Sequence, residues 1–341
     1  MQKKNLTPAP GEKRLASYTL VLTDEQIEKL RDYCESRDEL RPLETPYSIF
    51  SFRAEGEEKF VLTVYTSRKL LVSGRGTQNF VQNVLEPQIT GNPMLGYDEV
   101  NHPDWFELHA GLDESGKGDL FGPLVAACVI AGKDAVKTWI AAGVRDSKVV
   151  SEKKIFELEK LIRSTPNATV KTASVKMAKY NELYEKKSFG NLNPMLAHFH
   201  FVALREALAE IRENGGEMPA WGLLDQFSPK PLVQNELAGA KIDFELRMRT
   251  KAESDPVVAA ASIVARATYV RAVQDLEKIA KITIPKGCSA DAREAGKKIV
   301  EKFGNARLPD FVKMHFRTAY EVLGLEAPQK NYYVPHPRKS K

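Results

Sequence analysis

Hydrophobic and polar positions along the first part of the chain predict a small unit of mixed secondary structure. Residues 18–22 read as a short strand, and Thr23 and Gln26 after them have the types and spacing of a capping box. The helical stripe that follows consists of Ile27, Leu30 and Cys34. Strand-like runs at 47–52, 60–65 and 70–73 and a second helical stripe at 80–85 complete the block. This order predicts an α+β unit with an antiparallel sheet, one face of which meets solvent or a partner.

The second part of the chain alternates helices and strands instead. It opens with strands at 109–113 and 123–130, and later strands are predicted at 221–224 and 242–246. Asn193 and Pro194 are suited to begin a long helix, and Asp255 followed by Pro256 to begin another. The pattern predicts an α/β domain with a mixed sheet flanked by helices. The expected divisions are a tail at 1–16, a domain at 17–90, a Gly-, Pro- and Asn-containing linker at 91–105, a domain at 106–325 and a tail at 326–341.

Composition narrows the class of protein only slightly. The 341 residues carry a net charge of +5, which suits a phosphate backbone but is also common in proteins that bind none. The three cysteines are widely spaced and form no CxxC, which argues against a disulfide scaffold and a thiolate zinc site. No apolar run approaches the roughly 20 residues of a membrane span, and the amino terminus lacks a signal-peptide core. We therefore expect a cytoplasmic protein that does not bind membranes, and we expect a monomer.

The densest chemical signal is the run GLDESGKGDLFGP, residues 111–123. Asp113 and Glu114 end an apolar strand and lead into a glycine-rich turn, whose backbone amides can approach a ligand closely. The spacing resembles a P-loop, but Gly118 stands where that motif needs a hydroxyl, and two carboxylates would face the phosphates. A solvated acidic turn remains the simple alternative for this run.

Further carboxylates follow other predicted elements. Asp225 ends a short buried strand, a position that a helix cap or a turn also explains. In the run KAESDP, Asp255 has a structural role as helix cap, whereas Glu253 has none. Carboxylates at the ends of separate elements, without cysteine ligands, suit a hard ion such as Mg²⁺ or Mn²⁺. Two such ions can promote hydrolysis of a phosphodiester.

Several motifs in a fixed order resemble bacterial ribonuclease HIII, a type 2 ribonuclease H. They are GLDESGKGDLFGPLVAACVI from 111, GVRDSK from 143, YNELYEKKSFGNLNPMLAHFH from 180, LLDQF from 223, TKAESDPVVAAASIVAR from 250 and VKMHF from 312. The resemblance covers nearly all of the second block. It implies a ribonuclease H-like catalytic domain, and it implies that the first block is a domain resembling half of a TATA-binding protein.

The resemblance also implies an activity and its residues. The activity is endonucleolytic hydrolysis of the RNA strand of RNA–DNA hybrids with two Mg²⁺ or Mn²⁺ ions, leaving 5′-phosphate and 3′-hydroxyl ends. The implied catalytic and metal-binding residues are Asp113, Glu114, Asp225 and Glu253. Glu253 is favoured over Asp255 because the capping role already accounts for Asp255.

Recognition of the RNA strand must involve its 2′-hydroxyl. By resemblance to the GRG segment of ribonuclease HII, the implied substrate-binding residues are Gly116, Lys117 and Gly118. Ser147 and Lys148 are candidate phosphate contacts, although they could equally begin a helix. Basic residues in or near the strands of the first block are expected to add backbone affinity unless they form an ordinary solvated face. They are Arg53, Lys59, Arg68, Lys69 and Arg75.

Two other functions stay open at this point. One is ribonuclease HII-like excision of single embedded ribonucleotides, and the other is hybrid binding without catalysis. The histidines are not required as nucleophiles in metal-assisted hydrolysis, so we interpret His198 and His200, on the long helix, as structural. The role of His315, in VKMHF, is left open.

Overall fold

A computed structural model describes residues 15–92, 98–186, 189 and 191–327. The chain divides into two compact units, residues 1–106 and 107–341. This division lies at the end of the predicted linker at 91–105, part of which is outside the described residues. Both predicted tails lie almost entirely outside them.

The first unit is built on a five-stranded antiparallel sheet. Its strands are β1 (Ser17–Val21), β2 (Leu40–Pro42), β3 (Ser48–Ala54), β4 (Phe60–Tyr65) and β5 (Lys69–Gly74). Their order across the sheet is β1-β5-β4-β3-β2. The short edge strand β2 was not predicted, because three residues show no measurable alternation. The predicted α+β class of this unit is confirmed.

Helices cover one face of this sheet. Helix α1 (Asp24–Glu35) begins with the predicted capping box, in which Gln26 N donates to Thr23 Oγ1 at 3.2 Å and Thr23 N donates to Gln26 Oε1 at 3.0 Å. Helix α2 (Thr77–Phe80) continues as a π-helical segment, Val81–Thr90. Pro87 within that segment has no N–H to donate to an α-helical bond. A short helix α3 (Asp98–Asn101) and a 3₁₀ turn (Pro103–Phe106) end the unit.

The second unit contains a mixed five-stranded sheet, as predicted. Its strands are β6 (His109–Ser115), β7 (Val125–Ala131), β8 (Thr169–Ser174), β9 (Trp221–Asp225) and β10 (Glu245–Arg249). The order is β10-β9-β6-β7-β8, with β9 parallel to both its neighbours and β7 antiparallel to β6 and β8. Because β6 and β9 are adjacent and parallel, their carboxyl ends meet at one edge of the sheet.

Helices flank this sheet. They are α4 (Lys133–Ala142), α5 (Glu152–Ser164), α6 (Met177–Glu185), α7 (Leu192–Glu213), α8 (Leu232–Gly239), α9 (Pro256–Ala280), α10 (Ala290–Phe303) and α11 (Arg317–Val322). Shorter 3₁₀ turns occur at Ser147–Val149, Ala252–Ser254 and Asn305–Asp310.

Helix α9 forms the centre of the unit. Its amino-terminal turn passes so close to β6 that a Cβ atom on Gly111 would lie 2.4 Å from the Val257 carbonyl carbon and the Val258 nitrogen. Only glycine permits that approach. Helix α9 is also long and apolar enough to cross a membrane, but 72% of its apolar 18-residue stretch is buried inside the protein. We interpret it as a core helix.

Several predicted element boundaries in this unit were wrong. Strand β6 extends to Ser115 instead of ending at 113, and strand β7 begins at Val125 instead of 123. Helix α7 is capped by Asn191, whose side chain accepts from Asn193 N at 3.1 Å, so the cap lies two residues before the predicted Asn193. Strand β10 covers Glu245–Arg249 instead of 242–246, because its parallel register with β9 pairs Glu245 with Trp221. The free cysteines Cys34 and Cys128 are both buried.

Candidate active site

Strand β6 carries the first two candidate carboxylates and directs them to different helices. Successive side chains on a strand point to opposite faces of a sheet. Gly111 and Asp113 therefore face α9, whereas Leu112 and Glu114 face α7. Each carboxylate consequently has its own supporting helix.

Asp113 is held tightly at the α9 side. Its side chain is 6% exposed, and its Oδ1 accepts from Glu114 N at 2.7 Å. Burial raises its pKa, and the charge of Glu114 raises it further, although a hydrogen bond from Ser262 opposes both effects. Ser262 Oγ in turn lies 2.8 Å from Ser147 Oγ. A chain of hydrogen bonds thus links Ser147 to Asp113 through Ser262.

Glu114 is held at the α7 side by two different groups. Its Oε2 lies 3.1 Å from His200 Nε2, and its Oε1 lies 3.6 Å from Lys117 Nζ. The His200 ring is fully buried and stacks on the ring of Phe227 at 5.4 Å between centroids. Lys117 Nζ also lies 5.3 Å from the centre of that Phe227 ring.

Asp225 ends β9 and is tied to the segment that carries Glu253. Its Oδ1 accepts from Ala252 N at 3.0 Å, at the start of the 3₁₀ turn Ala252–Ser254. Burial raises the pKa of Asp225, and the charges of Glu253 and Glu114 add to that effect. All these interactions place Asp225 beside the other candidate ligands.

Glu253 and Asp255 have different environments. Asp255 caps α9, accepting from Val257 N at 2.8 Å and from Val258 N at 3.2 Å, and its Oδ1 lies 3.2 Å from Nε2 of the buried His109. Glu253 Oε2 and Asp255 Oδ2 are both buried without a hydrogen-bond partner among the described residues, but only Asp255 has its other oxygen engaged in capping a helix. The capping role predicted for Asp255 is confirmed.

Lys148 places a positive charge beside the acidic cluster. Burial alone would lower its pKa, but four neighbouring carboxylates more than compensate and the pKa is raised. These carboxylates are Asp146, Asp113, Glu253 and Asp225. Ser147 and Lys148 begin a 3₁₀ turn, in which Asp146 Oδ1 accepts from Lys148 N at 3.0 Å.

The glycine-rich loop after β6 is anchored from the carboxyl-terminal part of the unit. Gly116 is buried with a φ of +87°, and a Cβ there would lie 2.3 Å from the Pro123 carbonyl oxygen. Gly118 is exposed, and nothing lies within 4 Å of a Cβ built on it. The fully buried Lys313 donates from Nζ to the carbonyl oxygens of Asp119 (2.8 Å) and Gly122 (2.5 Å).

In the first unit, the predicted basic residues are exposed but do not share one location. Arg53 and Lys69 alternate with core residues of β3 and β5, so they lie on the sheet face opposite the helices. The exposed Arg41, which was not predicted, is the register partner of Arg53. Lys59 and Arg75 flank strands, and Arg68 lies 3.5 Å from Asp24 in an ion pair.

The acidic cluster fits a divalent metal ion by its chemistry. As the side chains stand, no three Asp, Glu, His or Cys residues in the described part of the chain form a ready-made metal-binding group. However, all the donors are oxygens, an orphaned carboxylate oxygen of Glu253 is buried among them, and Asp113 is buried beside a second negative charge. Oxygen donors suit a hard cation, and a bound cation would pair with the Glu253 oxygen and offset the repulsion at Asp113.

Sequence reasoning missed three residues that contact the site or its loop. His200 was interpreted as structural, and Ser262 and Lys313 were assigned no role. The available signal was weak: His200 occupies a position in the otherwise apolar stripe that includes Leu196 and Leu204. A polar residue in such a stripe calls for a partner.

Comparisons with known proteins identify the family and the fold of the chain. A family model described as Ribonuclease HII matches residues 110–319. Ribonuclease HIII of Protochlamydia amoebophila is 36% identical over 278 residues, which cover 82% of this chain and 87% of that protein. Ribonuclease HIII of Chlamydia muridarum is 35% identical over 281 residues, which cover 82% and 88% respectively. The crystal structure of Bst-RNase HIII in complex with Mn²⁺ superposes with a TM-score of 0.61 at 23% identity, covering 91% of this chain and 98% of that one.

The chain therefore belongs to the ribonuclease HII family of nucleases. Its relatives over most of its length are ribonucleases HIII. As a member of this family it is a ribonuclease H, a nuclease that acts on the RNA of RNA–DNA hybrids. The likeness to the solved structure supports the predicted ribonuclease H-like fold.

Proposed function

We propose that the protein hydrolyses the RNA strand of RNA–DNA hybrids endonucleolytically with two Mg²⁺ or Mn²⁺ ions, leaving 5′-phosphate and 3′-hydroxyl ends. The observation that carries this proposal is the convergence of four carboxylates from three separate segments. The proposed catalytic and metal-binding residues are Asp113, Glu114, Asp225 and Glu253. When bound, such ions activate a water molecule and stabilise the departing oxygen of the phosphodiester.

The protein's own contribution is to hold these carboxylates in place before substrate arrives. Ser262 and Glu114 N orient Asp113, and Ala252 N orients Asp225. The Asp255 cap fixes the start of α9 and therefore the position of the preceding turn, which bears Glu253. Such preorganisation lowers the cost of reaching the transition state.

Cationic side chains around the cluster are the proposed contacts to the hybrid's phosphates. Lys148 is exposed and already faces three of the four carboxylates, so a phosphate bound at the cluster lies within its electrostatic reach. Ser147 belongs to the same turn and supports Asp113 through Ser262. Lys117 is partly exposed beside Glu114.

Selectivity for RNA is assigned to backbone groups of Gly116, Lys117 and Gly118. The left-handed conformation of Gly116 turns the chain, and Gly118 leaves open space above the loop. That space allows a ribose to approach the backbone closely enough for its 2′-hydroxyl to form hydrogen bonds. Lys313 holds the far end of the loop at the carbonyls of residues 119 and 122.

The first unit is proposed to add sequence-independent affinity for the nucleic-acid backbone. The sheet face opposite its helices carries the exposed residues Arg41, Arg53 and Lys69. Cationic side chains on one exposed face suit a phosphate backbone. A TATA-binding-protein-like origin of this unit, a cytoplasmic location and a monomeric state stay predictions.

The test is cleavage of an end-labelled RNA–DNA hybrid with Mg²⁺ or Mn²⁺. The intact protein should cut only the RNA strand, and Asp113→Asn and Glu253→Gln should lose most activity. Asp255→Asn is the matched control, because asparagine also caps helices and should leave activity largely intact. If Glu253→Gln cuts normally while Asp255→Asn does not, Asp255 replaces Glu253 as the fourth ligand.

Two substrates and one binding measurement separate the alternatives. A preference for one ribonucleotide embedded in duplex DNA over a long hybrid would indicate ribonuclease HII-like excision. Hybrid binding with no cleavage in either metal would refute the catalytic proposal.

A further inference from the structure

His200 is a buried polar side chain that the hydrolytic reaction does not require as a nucleophile or base. Its ring is fully buried in α7, and Nε2 has a hydrogen-bond partner in the Oε2 atom of Glu114 at 3.1 Å. A carboxylate at this position only accepts hydrogen bonds, so Nε2 must carry the donated proton. The other ring nitrogen, Nδ1, is buried with no hydrogen-bond partner among the described residues.

A purely structural role does not explain this environment well. An apolar ring would fill the same space and stack on Phe227 without leaving a buried ring nitrogen unpaired, which costs free energy. His198, on the same helix, is half-buried, and its Nδ1 lies 3.3 Å from Oε2 of Glu236 on α8, which is not one of the candidate ligands. Only His200 of the two reaches a candidate ligand.

The contact constrains one oxygen of Glu114 and leaves the other available. Oε2 is fixed by the rigid, buried imidazole, whereas Oε1 faces Lys117, a flexible and 35% exposed side chain. A lysine that is exposed can move away or be displaced by another cation. The asymmetry therefore makes Oε1 the oxygen that can exchange one cation for another.

We propose that His200 is a positioning residue for the metal site: it locks the carboxylate of Glu114 so that Oε1 is presented to a divalent ion. This rests on the proposed assignment of Glu114 as a metal ligand. Hydrogen bonds from buried groups to ligating carboxylates fix their orientation, and their removal typically weakens metal binding by about 10- to 100-fold. His200 thus acts through Glu114 and need not touch the substrate.

The test is Mn²⁺ binding to the full-length, metal-free protein, measured by titration calorimetry without substrate. His200→Phe keeps the ring and its stacking on Phe227 but removes the donor, and it should bind Mn²⁺ about 10- to 100-fold more weakly than the wild type. His200→Gln can place an amide N–H near the former Nε2 and should recover most of the affinity. His198→Phe is the matched control on the same helix and should bind Mn²⁺ as the wild type does.

Cleavage assays at varied Mn²⁺ concentration should agree with the calorimetry. The Mn²⁺ concentration that gives the half-maximal cleavage rate should rise for His200→Phe, whereas the KM for the hybrid at saturating Mn²⁺ should stay nearly unchanged. A folded His200→Phe protein with wild-type Mn²⁺ affinity would overturn the proposal. If that variant does not fold, the polar pair His200→Gln and His200→Asn decides, because asparagine is too short to reach Glu114. Equal affinity in that pair would also overturn it.

Glu114→Gln separates the two levels of the argument. Weak Mn²⁺ binding by this variant together with normal binding by His200→Phe refutes only the positioning role. Normal Mn²⁺ binding by Glu114→Gln refutes the assignment of Glu114 as a ligand, and the role of His200 with it.

Discussion

Gly116 and Gly118 lie in the same loop, but the structure indicates a different reason for glycine at each of the two positions. Gly116 has a left-handed φ of +87°, and an added Cβ would lie 2.3 Å from the Pro123 carbonyl oxygen and 2.8 Å from the Tyr269 ring. Gly118 has a φ outside the left-handed region and open space where a Cβ would lie. Alanine at Gly116 should therefore disturb the protein, whereas alanine at Gly118 should disturb only a bound substrate.

The expected magnitudes differ accordingly. Gly118→Ala should change the free energy of unfolding by no more than about 0.5 kcal/mol, as for other exposed positions without special geometry. If ribose packs against this backbone, a methyl group displaces the RNA strand by about 1 Å, and such misplacement can lower the rate by about 100-fold. Gly116→Ala should lose about 1–2 kcal/mol from the left-handed conformation alone, before any cost of the clash.

The assay compares kcat/KM for hybrid cleavage with thermal unfolding of the same preparations. Gly239→Ala is the matched control, because Gly239 ends α8, its φ is not left-handed, and nothing lies within 4 Å of its added Cβ. The control should keep both activity and stability. Mn²⁺ binding should be unchanged in Gly118→Ala, since the loop position lies outside the carboxylate cluster.

Wild-type cleavage by a stable Gly118→Ala protein would refute the idea that the space above Gly118 is reserved for the RNA strand. A large loss of stability in Gly118→Ala would refute the structural premise instead. Either result leaves the carboxylate assignment unaffected, because that assignment rests on different side chains.

Two further perturbations test the loop anchor and the first unit. Burial lowers the pKa of Lys313 from 10.5 to about 7, and the charge of Asp119 opposes this shift. Between these two pH values the unfolded chain binds more protons than the folded one, so the free energy of unfolding of the wild type should rise with pH. The rise should be at most about 1.4 kcal/mol per pH unit relative to Lys313→Met. Denaturant titrations from pH 7 to 9 measure this, and equal slopes in both proteins would contradict it. Replacing Arg53 and Lys69 with serine should weaken hybrid binding and reduce the dependence of log K on log salt by about one for each lost phosphate contact, whereas an unchanged salt dependence would leave these residues as an ordinary solvated face.

Much of the site was predictable because its residues are bounded by strong local signals. Asp113 lies near the end of one apolar strand and Asp225 ends another, and adjacent parallel strands bring such ends together. Asp255 could be distinguished from Glu253 because a cap before Pro256 is a local arrangement with a known geometry. These inferences needed only short stretches of sequence.

The elements that were missed depend on contacts far along the chain. His200 meets Glu114 from 86 residues away, and Lys313 meets Gly122 from 191 residues away. Strand β10 takes its register from β9, and the local alternation at 242–246 does not determine that register. The π-helical segment around Pro87 likewise departs from the simple helical stripe predicted at 80–85. Sequence periodicity carries no information about such pairings.

The two neighbouring carboxylates on β6 also show why the site needs both faces of the sheet. A strand cannot direct adjacent side chains to one helix, so Asp113 depends on Ser262 of α9 and Glu114 depends on His200 of α7. Helix α9 reaches Asp113 only because Gly111, two residues earlier on the same face, admits its backbone. The geometry of the carboxylate pair is therefore set by the docking of two helices on opposite faces. A change in the packing of either helix should alter one carboxylate and leave the other in place.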